Sequence, residues 1–297
     1  MKKTDFVKYL FMSIFLLSFS SCMEQESIKL EYFYEYDRLY PLDVRVDTLS
    51  DNLFHISYNS VNNNRVTSLL SLPKNAVHPY PLVIIQHGIG DKKDTDYMIL
   101  GDSILSSNGF AVFRIDFAMH GERINKKYNF RVIDYTLRDA IKQTVFDLRC
   151  GLDYLDTRSD IDSTKTGFLG ISLGGIAGVV FCGVENRVEL SIICLAGGGL
   201  RAMSGLDGFG EKITSMMAPI EPLNFVDRIS PHPILFINAE DDEVIPKPMA
   251  LLLHAKAEEP KEVIWYKSGH KVNPYKAFND ASEWLRTNFR LKLTQLK

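Results

Sequence analysis

The chain contains little cysteine, and its few cysteines lack the spacing of a metal site or a disulfide framework. Four of its 297 residues are cysteine, and those beyond the N-terminal segment are Cys150, Cys182 and Cys194. Each lies in an apolar periodic stretch, where a free cysteine is usually buried. The sequence therefore predicts three buried free thiols and no bound metal.

An excess of basic residues is missing as well. Lysine and arginine number 34 against 37 acidic residues, for a formal net charge of -3. We see no basic patch and no long basic amphipathic helix, which argues against a nucleic-acid partner and against membrane contact through a protein surface. Internal repeats and low-complexity tracts are absent too, so one globular domain is expected.

No apolar run has membrane-spanning length, and the longest candidate lies at the N-terminus. Residues 9–19 are apolar and follow Lys2, Lys3 and Lys8, a pattern typical of a secretory signal peptide. A bilayer span needs about 20 apolar residues, so a permanent transmembrane anchor is the poorer interpretation. We predict a signal peptide over 1–21, a tether and lead-in over 22–41, and a folded domain over 42–297.

The apolar run ends in F-S-S-C, which resembles the cleavage box of bacterial lipoproteins. There the cysteine becomes the lipidated first residue of the mature chain, and Cys22 holds that position here. Phe19 departs from the usual small aliphatic residue, and ordinary secretory cleavage or an unmodified Cys22 is the alternative. The resemblance implies an exported protein, anchored to a membrane by lipid alone and facing the periplasm or the cell surface.

Strand-like and helical patterns alternate from about residue 81 to the C-terminus. Nearly unbroken apolar runs typical of buried parallel strands occupy 82–86, 111–116, 167–171, 190–195, 234–238 and 263–266. Shorter β-type segments at 42–46, 54–58 and 66–72 precede them and predict an antiparallel entry to the sheet. Apolar residues spaced by three and four predict a helix and are Leu137, Ile141, Val145, Leu148, Leu152 and Leu155.

A last helix is expected to begin at Asn273 and Pro274, which suit a helix cap and first turn. These patterns together predict an α/β fold, a mostly parallel sheet with helices on both faces. Residues 197–228 interrupt the alternation, and either a small lid or a plain helical connection would account for them.

The most informative motif is G-F-L-G-I-S-L-G-G at residues 167–175. Gly170 and Gly174 flank Ser172 at two-residue spacing, after a strand-like run and before a helical one. A serine hydroxyl becomes an exposed nucleophile when a sharp strand-to-helix turn lifts it clear of the sheet, and only small flanking residues permit that turn. The motif alone is weak, so its surroundings must support it.

Candidates for the other groups of a serine hydrolase follow in the order acid, then base. Asp242 lies in an acidic loop after a buried strand and is our first choice for the acid, with the adjacent Asp241 as the alternative. His270 follows the last strand and is the candidate base. Backbone N–H groups of Leu173 and of Ile89, in the loop H-G-I-G, are the expected oxyanion donors.

Together these motifs resemble the α/β-hydrolase superfamily, nearest its dienelactone hydrolase-like and prolyl oligopeptidase-like esterases. The residues that carry the resemblance are H-G-I-G-D-K-K, R-I-D-F-A-M-H-G-E-R, G-I-S-L-G-G and N-A-E-D-D-E-V-I-P, within residues 81–297. The resemblance implies an eight-stranded sheet, acyl-ester chemistry and no cofactor. Ala239 replaces the usual glycine before the acid, and Ser172 replaces the cysteine of dienelactone hydrolases proper, which argues against that particular activity.

The same resemblance implies that Asp116, with the H-G-E-R turn, orders the loop beside the site. His120 and Arg123 are therefore interpreted as structural first, with Arg123 as a secondary candidate for contacting a substrate. Asp116 and His120 alone do not make up a metal site, because two ligands fall short of a closed coordination sphere.

We therefore expect an exported serine hydrolase that cleaves small carboxylic or thioesters through an acyl-enzyme intermediate. A carbohydrate or cell-envelope ester would suit the predicted location. Two alternatives remain open at this point: a peptidase or amidase using the same residues, and a non-catalytic binding lipoprotein on a hydrolase fold.

Overall fold

The computed structural model describes residues 30–124, 135–200 and 215–291. The predicted signal peptide, Cys22 and residues 201–214 of the candidate lid lie outside these ranges. One mixed sheet organises the described chain, in the strand order β1-β2-β3-β5-β4-β6-β7-β8-β9. The strands are β1 Arg45–Ser50, β2 Leu53–Ser60, β3 Asn64–Ser71, β4 Tyr80–Gln86, β5 Ala111–Ile115, β6 Ile161–Ile171, β7 Leu190–Cys194, β8 Ile234–Ala239 and β9 Lys261–Tyr266.

The first three strands pair antiparallel and join the rest through an antiparallel β3–β5 pair. From β5 to β9 every pair is parallel. The predicted α/β fold, with an antiparallel entry to a mostly parallel sheet, is confirmed. The described sheet has nine strands, one more than the eight that the family resemblance implies.

Two strands begin three or more residues away from the position expected from sequence, while the other strand starts agree within two residues. β1 begins at Arg45 rather than at residue 42, because Asp43 has a φ of 41° and a left-handed residue cannot extend a strand. β6 begins at Ile161 rather than at residue 167, because its first residues pair with Tyr80 and Pro81 before the register shifts.

Five α-helices of the described ranges cover the sheet. They are α1 Asp96–Ser107, α2 Tyr135–Leu155, α3 Leu173–Val184, α4 Lys247–Lys256 and α5 Pro274–Asn288. One core lies between the sheet and helices α2, α3 and α4, and a second lies between the sheet and helices α1 and α5. The apolar face predicted for α2 is buried as expected, and the Asn273 side chain caps α5 by accepting from Lys276 N.

The three cysteines of the body are free and buried, as predicted. Among the described residues, none of the helices is both long and apolar enough to cross a bilayer.

Part of the predicted lead-in packs against the domain. Residues Leu30–Tyr34 form a short 3-10 helix, and the Tyr34 ring is fully buried. Its hydroxyl donates to Pro219 O at 2.5 Å, and the Arg149 guanidinium of α2 donates to Tyr34 O at 2.5 Å. The lead-in is therefore anchored to α2 and to the connection that follows β7.

Candidate active site

Ser172 lies at the sharp turn between β6 and α3. Its backbone has φ 54° and ψ -116°, a conformation that costs a non-glycine residue roughly 1–3 kcal/mol. The turn is held by a hydrogen bond from Ser172 N to Cys194 O at 2.9 Å. The strained backbone is what lifts the hydroxyl above the carboxyl end of the sheet.

Close backbone packing explains the glycines on either side of the serine. A Cβ at Gly170 would lie 2.3 Å from Gly174 O, and a Cβ at Gly174 would lie 2.4 Å from Gln86 O. Both gaps are far below van der Waals contact. The helix can therefore approach β6 and the loop after β4 only because both side chains are absent.

The structure brings Ser172, His270 and Asp242 into one hydrogen-bonded chain. His270 Nε2 lies 3.0 Å from Ser172 Oγ, while His270 Nδ1 lies 2.8 Å from Asp242 Oδ2 and 2.9 Å from its Oδ1. Because a carboxylate can only accept, Nδ1 carries the proton and the lone pair of Nε2 faces the serine hydroxyl. This arrangement can accept the proton of Ser172.

Asp242 rather than Asp241 contacts the histidine. The Asp242 side chain is buried, and its Oδ1 also accepts from the backbone N–H groups of Val244 and Ile245 at 2.8 Å each. These two donors fix the carboxylate while it holds the imidazole. Asp241 is exposed, and its backbone N–H donates to Ser268 O.

Two backbone N–H groups border the serine. Leu173 is the first residue of α3, where the N–H groups have no partner within the helix. Across from it, the loop after β4 approaches so closely that a Cβ on Gly88 would lie 3.5 Å from Ser172 Cβ. Gly88 N is already bound, since it donates to Tyr97 Oη at 3.0 Å. Ile89 N is therefore the next N–H of this loop that could face a substrate.

The loop after β4 rests on a buried neutral histidine. His87 Nδ1 donates to Gly88 O at 2.8 Å, and Phe117 N donates to His87 Nε2 at 3.0 Å. Desolvation by burial lowers the pKa of His87 to about 4. The uncharged ring therefore links this loop to the segment after β5 with a fixed tautomer.

Asp116 holds the other side of that loop. Its buried carboxylate accepts from Lys93 Nζ at 2.6 Å and from Lys93 N at 2.9 Å, and Lys93 Nζ also contacts Glu122. Burial alone would raise the pKa of Asp116, but the hydrogen bonds from Lys93 outweigh it and lower that pKa. A Cβ on Gly121, whose φ is 53°, would collide with this carboxylate.

The structure places His120 and Arg123 in supporting positions. His120 Nδ1 donates to Ala118 O at 3.0 Å, and Arg123 Nη1 donates to Asp116 O and to the buried Asp147 carboxylate at 2.7 Å. Within the described chain, Asp116, His120 and Arg123 lie outside the wall of the cavity that contains Ser172. Arg123 thus ties the H-G-E-R turn to helix α2.

An open cavity of about 600 Å³ begins at the serine. Ser172, His270 and Ile89 lie in its wall, and it continues between the ends of β6, β7 and β8 and helix α5. Side chains from Leu169, Ile237 and Phe278 line its inner part.

Sequence reasoning missed two groups that shape this site, Tyr97 and Lys93. The Tyr97 hydroxyl donates to Asp91 Oδ2 at 2.9 Å while it accepts from Gly88 N. The sequence signal for these residues is weak. Lys93 ends the polar D-K-K that directly follows H-G-I-G, and Tyr97 comes four residues later. Neither position identifies a partner.

Comparison with known proteins gives the same fold. The acetyl xylan esterase from Paenibacillus sp. R4 superposes with a TM-score of 0.69 at 18% identity, covering 83% of this chain and 89% of that one. Acetyl xylan esterase 1 from Thermoanaerobacterium sp. JW/SL YS485 gives 0.68 at 14% identity, covering 88% and 92%. At these identities the likeness concerns the fold.

In sequence, the protein named "Putative hydrolase YtaP" of Bacillus subtilis (strain 168) is 27% identical over 134 residues, which are 40% of this chain. The chain matches 44% of that protein's length. Residues 66–281 match the dienelactone hydrolase family, a range that contains most of the sheet, the strained turn and the hydrogen-bonded chain of Ser172, His270 and Asp242. The chain therefore belongs to the dienelactone hydrolase family of α/β-hydrolases.

Proposed function

We propose that this protein is a serine esterase in which Ser172 attacks the carbonyl carbon of a carboxylic or thioester. The observation that carries the proposal is the contact of His270 Nε2 with Ser172 Oγ at 3.0 Å, on a histidine whose other nitrogen is held by buried Asp242. This geometry is the one that nucleophilic catalysis by serine requires.

In the first half-reaction, the Ser172 proton moves to His270 Nε2 as Oγ bonds to the carbonyl carbon. The carbonyl oxygen becomes an oxyanion, and the N–H groups of Leu173 and Ile89 are the donors that we assign to it. The N-terminal end of α3 adds its partial positive charge at the same place. When the oxyanion collapses, the bond to the leaving group breaks and the leaving oxygen or sulfur takes the proton from Nε2.

In the second half-reaction, water replaces the leaving group. His270 Nε2 takes a proton from the water as its oxygen attacks the acyl carbon, and Ser172 recovers that proton when the acid is released. Asp242 stays ionised throughout and stabilises the imidazolium that forms twice in each cycle. These steps use side chains and backbone N–H groups of the chain together with water.

Covalent labelling tests the assignment of the nucleophile. Wild-type protein should react with a fluorophosphonate probe, Ser172→Ala should not, and the control Ser107→Ala, at an exposed position on α1, should react as the wild type does. Labelling that persists in Ser172→Ala, with the modified peptide lying elsewhere, would contradict the proposal. A matched pair of 4-nitrophenyl acetate and 4-nitroacetanilide then separates esterase from amidase activity.

We further propose that the protein is exported and anchored through a lipid on Cys22. The support is in the sequence alone, in the basic and apolar residues 1–21 and the F-S-S-C ending. Metabolic labelling with an alkyne fatty acid in a bacterial host should modify the wild type and leave Cys22→Ala unlabelled and soluble. Equal labelling of both chains would reject Cys22 as the anchor.

A further inference from the structure

The cavity beside Ser172 is far larger than the smallest acyl groups require. Its volume of about 600 Å³ lies within the roughly 300–1,000 Å³ that is typical of sites for drug-sized ligands. An acetyl group alone would leave most of this space to water. The cavity therefore has room for a group much larger than acetyl.

The inner wall is apolar. Leu169 and Ile171 of β6, Ile237 of β8 and Ala277 and Phe278 of α5 contribute aliphatic or aromatic surface to it. Cys194 adds a thiol, and burial raises the pKa of that thiol to about 12, so it is neutral. Transfer of apolar surface from water into such a wall is favourable, while a sugar hydroxyl there would lose its hydrogen bonds.

The polar side chains of Asp91, Thr95 and Tyr97 in this wall already bind protein groups. Asp91 Oδ2 accepts from the Tyr97 hydroxyl, and that hydroxyl accepts from Gly88 N. Thr95 Oγ1 accepts from Lys92 N at 3.0 Å. Lys271 is exposed at the rim. Apart from Ser172 and His270, the described wall therefore offers a ligand few unsatisfied polar groups.

The inner end of the cavity is held in a fixed position. The Phe278 ring lies directly on helix α1, where a Cβ on Gly101 would be 2.3 Å from it. Leu195, at the end of β7, has a φ of 52°, a strained conformation for this residue. It also lies in the cavity wall. Phe278 and Leu195 are thus two wall residues whose positions are set by the surrounding fold.

We propose that this cavity binds an extended apolar group of the ester, an acyl chain or alcohol residue well beyond the length of an acetyl group. The inference rests on the proposed esterase function and adds the substrate class. An acyl chain and the alkyl chain of an alcohol are both apolar, so the wall would accept either one. The two ester series described next distinguish between them.

The experiment measures kcat/KM for two ester series on the full chain, at substrate concentrations below micelle formation. One series joins 4-nitrophenol to acetate, butyrate, hexanoate and octanoate. The other joins acetate to ethanol, butanol, hexanol and octanol. In the series whose variable group enters the cavity, kcat/KM should rise by roughly fourfold for each buried methylene until the cavity is full. The other series should stay nearly flat.

A variant whose cavity is partly filled should prefer esters with a shorter acyl or alkyl chain. Ala277→Leu adds bulk to the wall, so it should lower the ratio of kcat/KM on the octyl or octanoyl ester to kcat/KM on the shortest ester of the same series by ten-fold or more. Ala255→Leu, the same substitution at an exposed site on α4, is the control and should match wild type on every ester. If Ala277→Leu does not fold, Val272→Phe at the half-buried rim also narrows the cavity and replaces it in the experiment.

The outcomes separate the two proposals. If esters are cleaved and Ser172 is labelled, but kcat/KM in both series is flat or falls from the shortest member, the cavity proposal is overturned while the esterase proposal stands. A filling variant that keeps the wild-type chain-length profile also overturns it. If no ester is cleaved and the fluorophosphonate leaves Ser172 unmodified, the esterase proposal fails and this inference fails with it.

Discussion

Tyr97→Phe is the most direct test of how the loop after β4, which carries the proposed oxyanion donor Ile89 N, is positioned. The substitution removes one oxygen atom and leaves the ring in place. That oxygen accepts from Gly88 N at 3.0 Å and donates to Asp91 Oδ2 at 2.9 Å. Without it, the Gly88 N–H and the Asp91 carboxylate each lose a partner, and the loop that carries Ile89 N loses its tie to α1.

The magnitude follows from what the loop does. An unpaired, partly buried donor costs about 1–3 kcal/mol, which the loop relieves by moving. Complete loss of one oxyanion donor lowers kcat by roughly 100- to 1,000-fold, and that is the upper limit here because Ile89 N remains present. We therefore expect kcat to fall by about 10- to 100-fold, with KM changed much less, because the donor acts mainly in the transition state.

Steady-state hydrolysis of a 4-nitrophenyl ester gives kcat and KM separately. Tyr40→Phe is the matched control, because it removes a hydroxyl that donates to Asn63 on the exposed surface, and it should leave both constants unchanged. If Tyr97→Phe keeps its full kcat, or loses activity only through KM, Tyr97 does not position the donor. Urea unfolding of both variants shows whether lost stability accounts for the change.

Three further predictions concern the acid, the turn and the pH dependence of stability. Asp242→Asn should lower kcat by roughly 10⁴-fold because the histidine adopts the wrong tautomer, while Asp241→Asn should keep near wild-type kcat in the same assay. Gly174→Ala should reduce the free energy of unfolding in urea by more than about 3 kcal/mol, because its Cβ meets backbone at 2.4 Å. Gly167→Ala, whose nearest contact is a flexible leucine methyl at 3.0 Å, should lose much less. Burial lowers the pKa of His254 in the folded protein to about 4. Below pH ~6.5 the unfolded chain therefore binds more protons at this residue than the folded protein does. The free energy of unfolding should fall as pH drops toward about 4, by up to ~1.4 kcal/mol per pH unit. His254→Gln should reduce this slope in urea titrations, and an unchanged slope would show that other groups cause it.

The elements that sequence could predict are those specified by local pattern. The parallel strands are continuous apolar runs because both of their faces are covered, and α2 shows one apolar face from Leu137 to Leu155. The turn at Ser172 is equally predictable from sequence. The two glycines that it requires, Gly170 and Gly174, lie within the same five-residue segment as the serine. In each case the physical cause and the sequence signal lie in the same segment.

Other features depend on partners that are distant in sequence. Tyr97 and Lys93 look like ordinary polar residues until the fold places them beside Gly88 and Asp116. The choice between Asp242 and Asp241 likewise needed the direction in which the loop after β8 turns, because the two carboxylates are adjacent. Sequence pattern carries no information on such contacts across the sheet.

The burial of Tyr34 limits how far the domain can move from a membrane if Cys22 carries a lipid. The ring is held against α2 and Pro219, so the fold fixes the position of the chain from Leu30 onward. From Cys22 to Leu30 a fully extended chain spans at most roughly 28 Å, which is about the diameter of a small domain. An enzyme held at that distance would meet esters that partition into the lipid surface at a higher local concentration than those dissolved in the surrounding water.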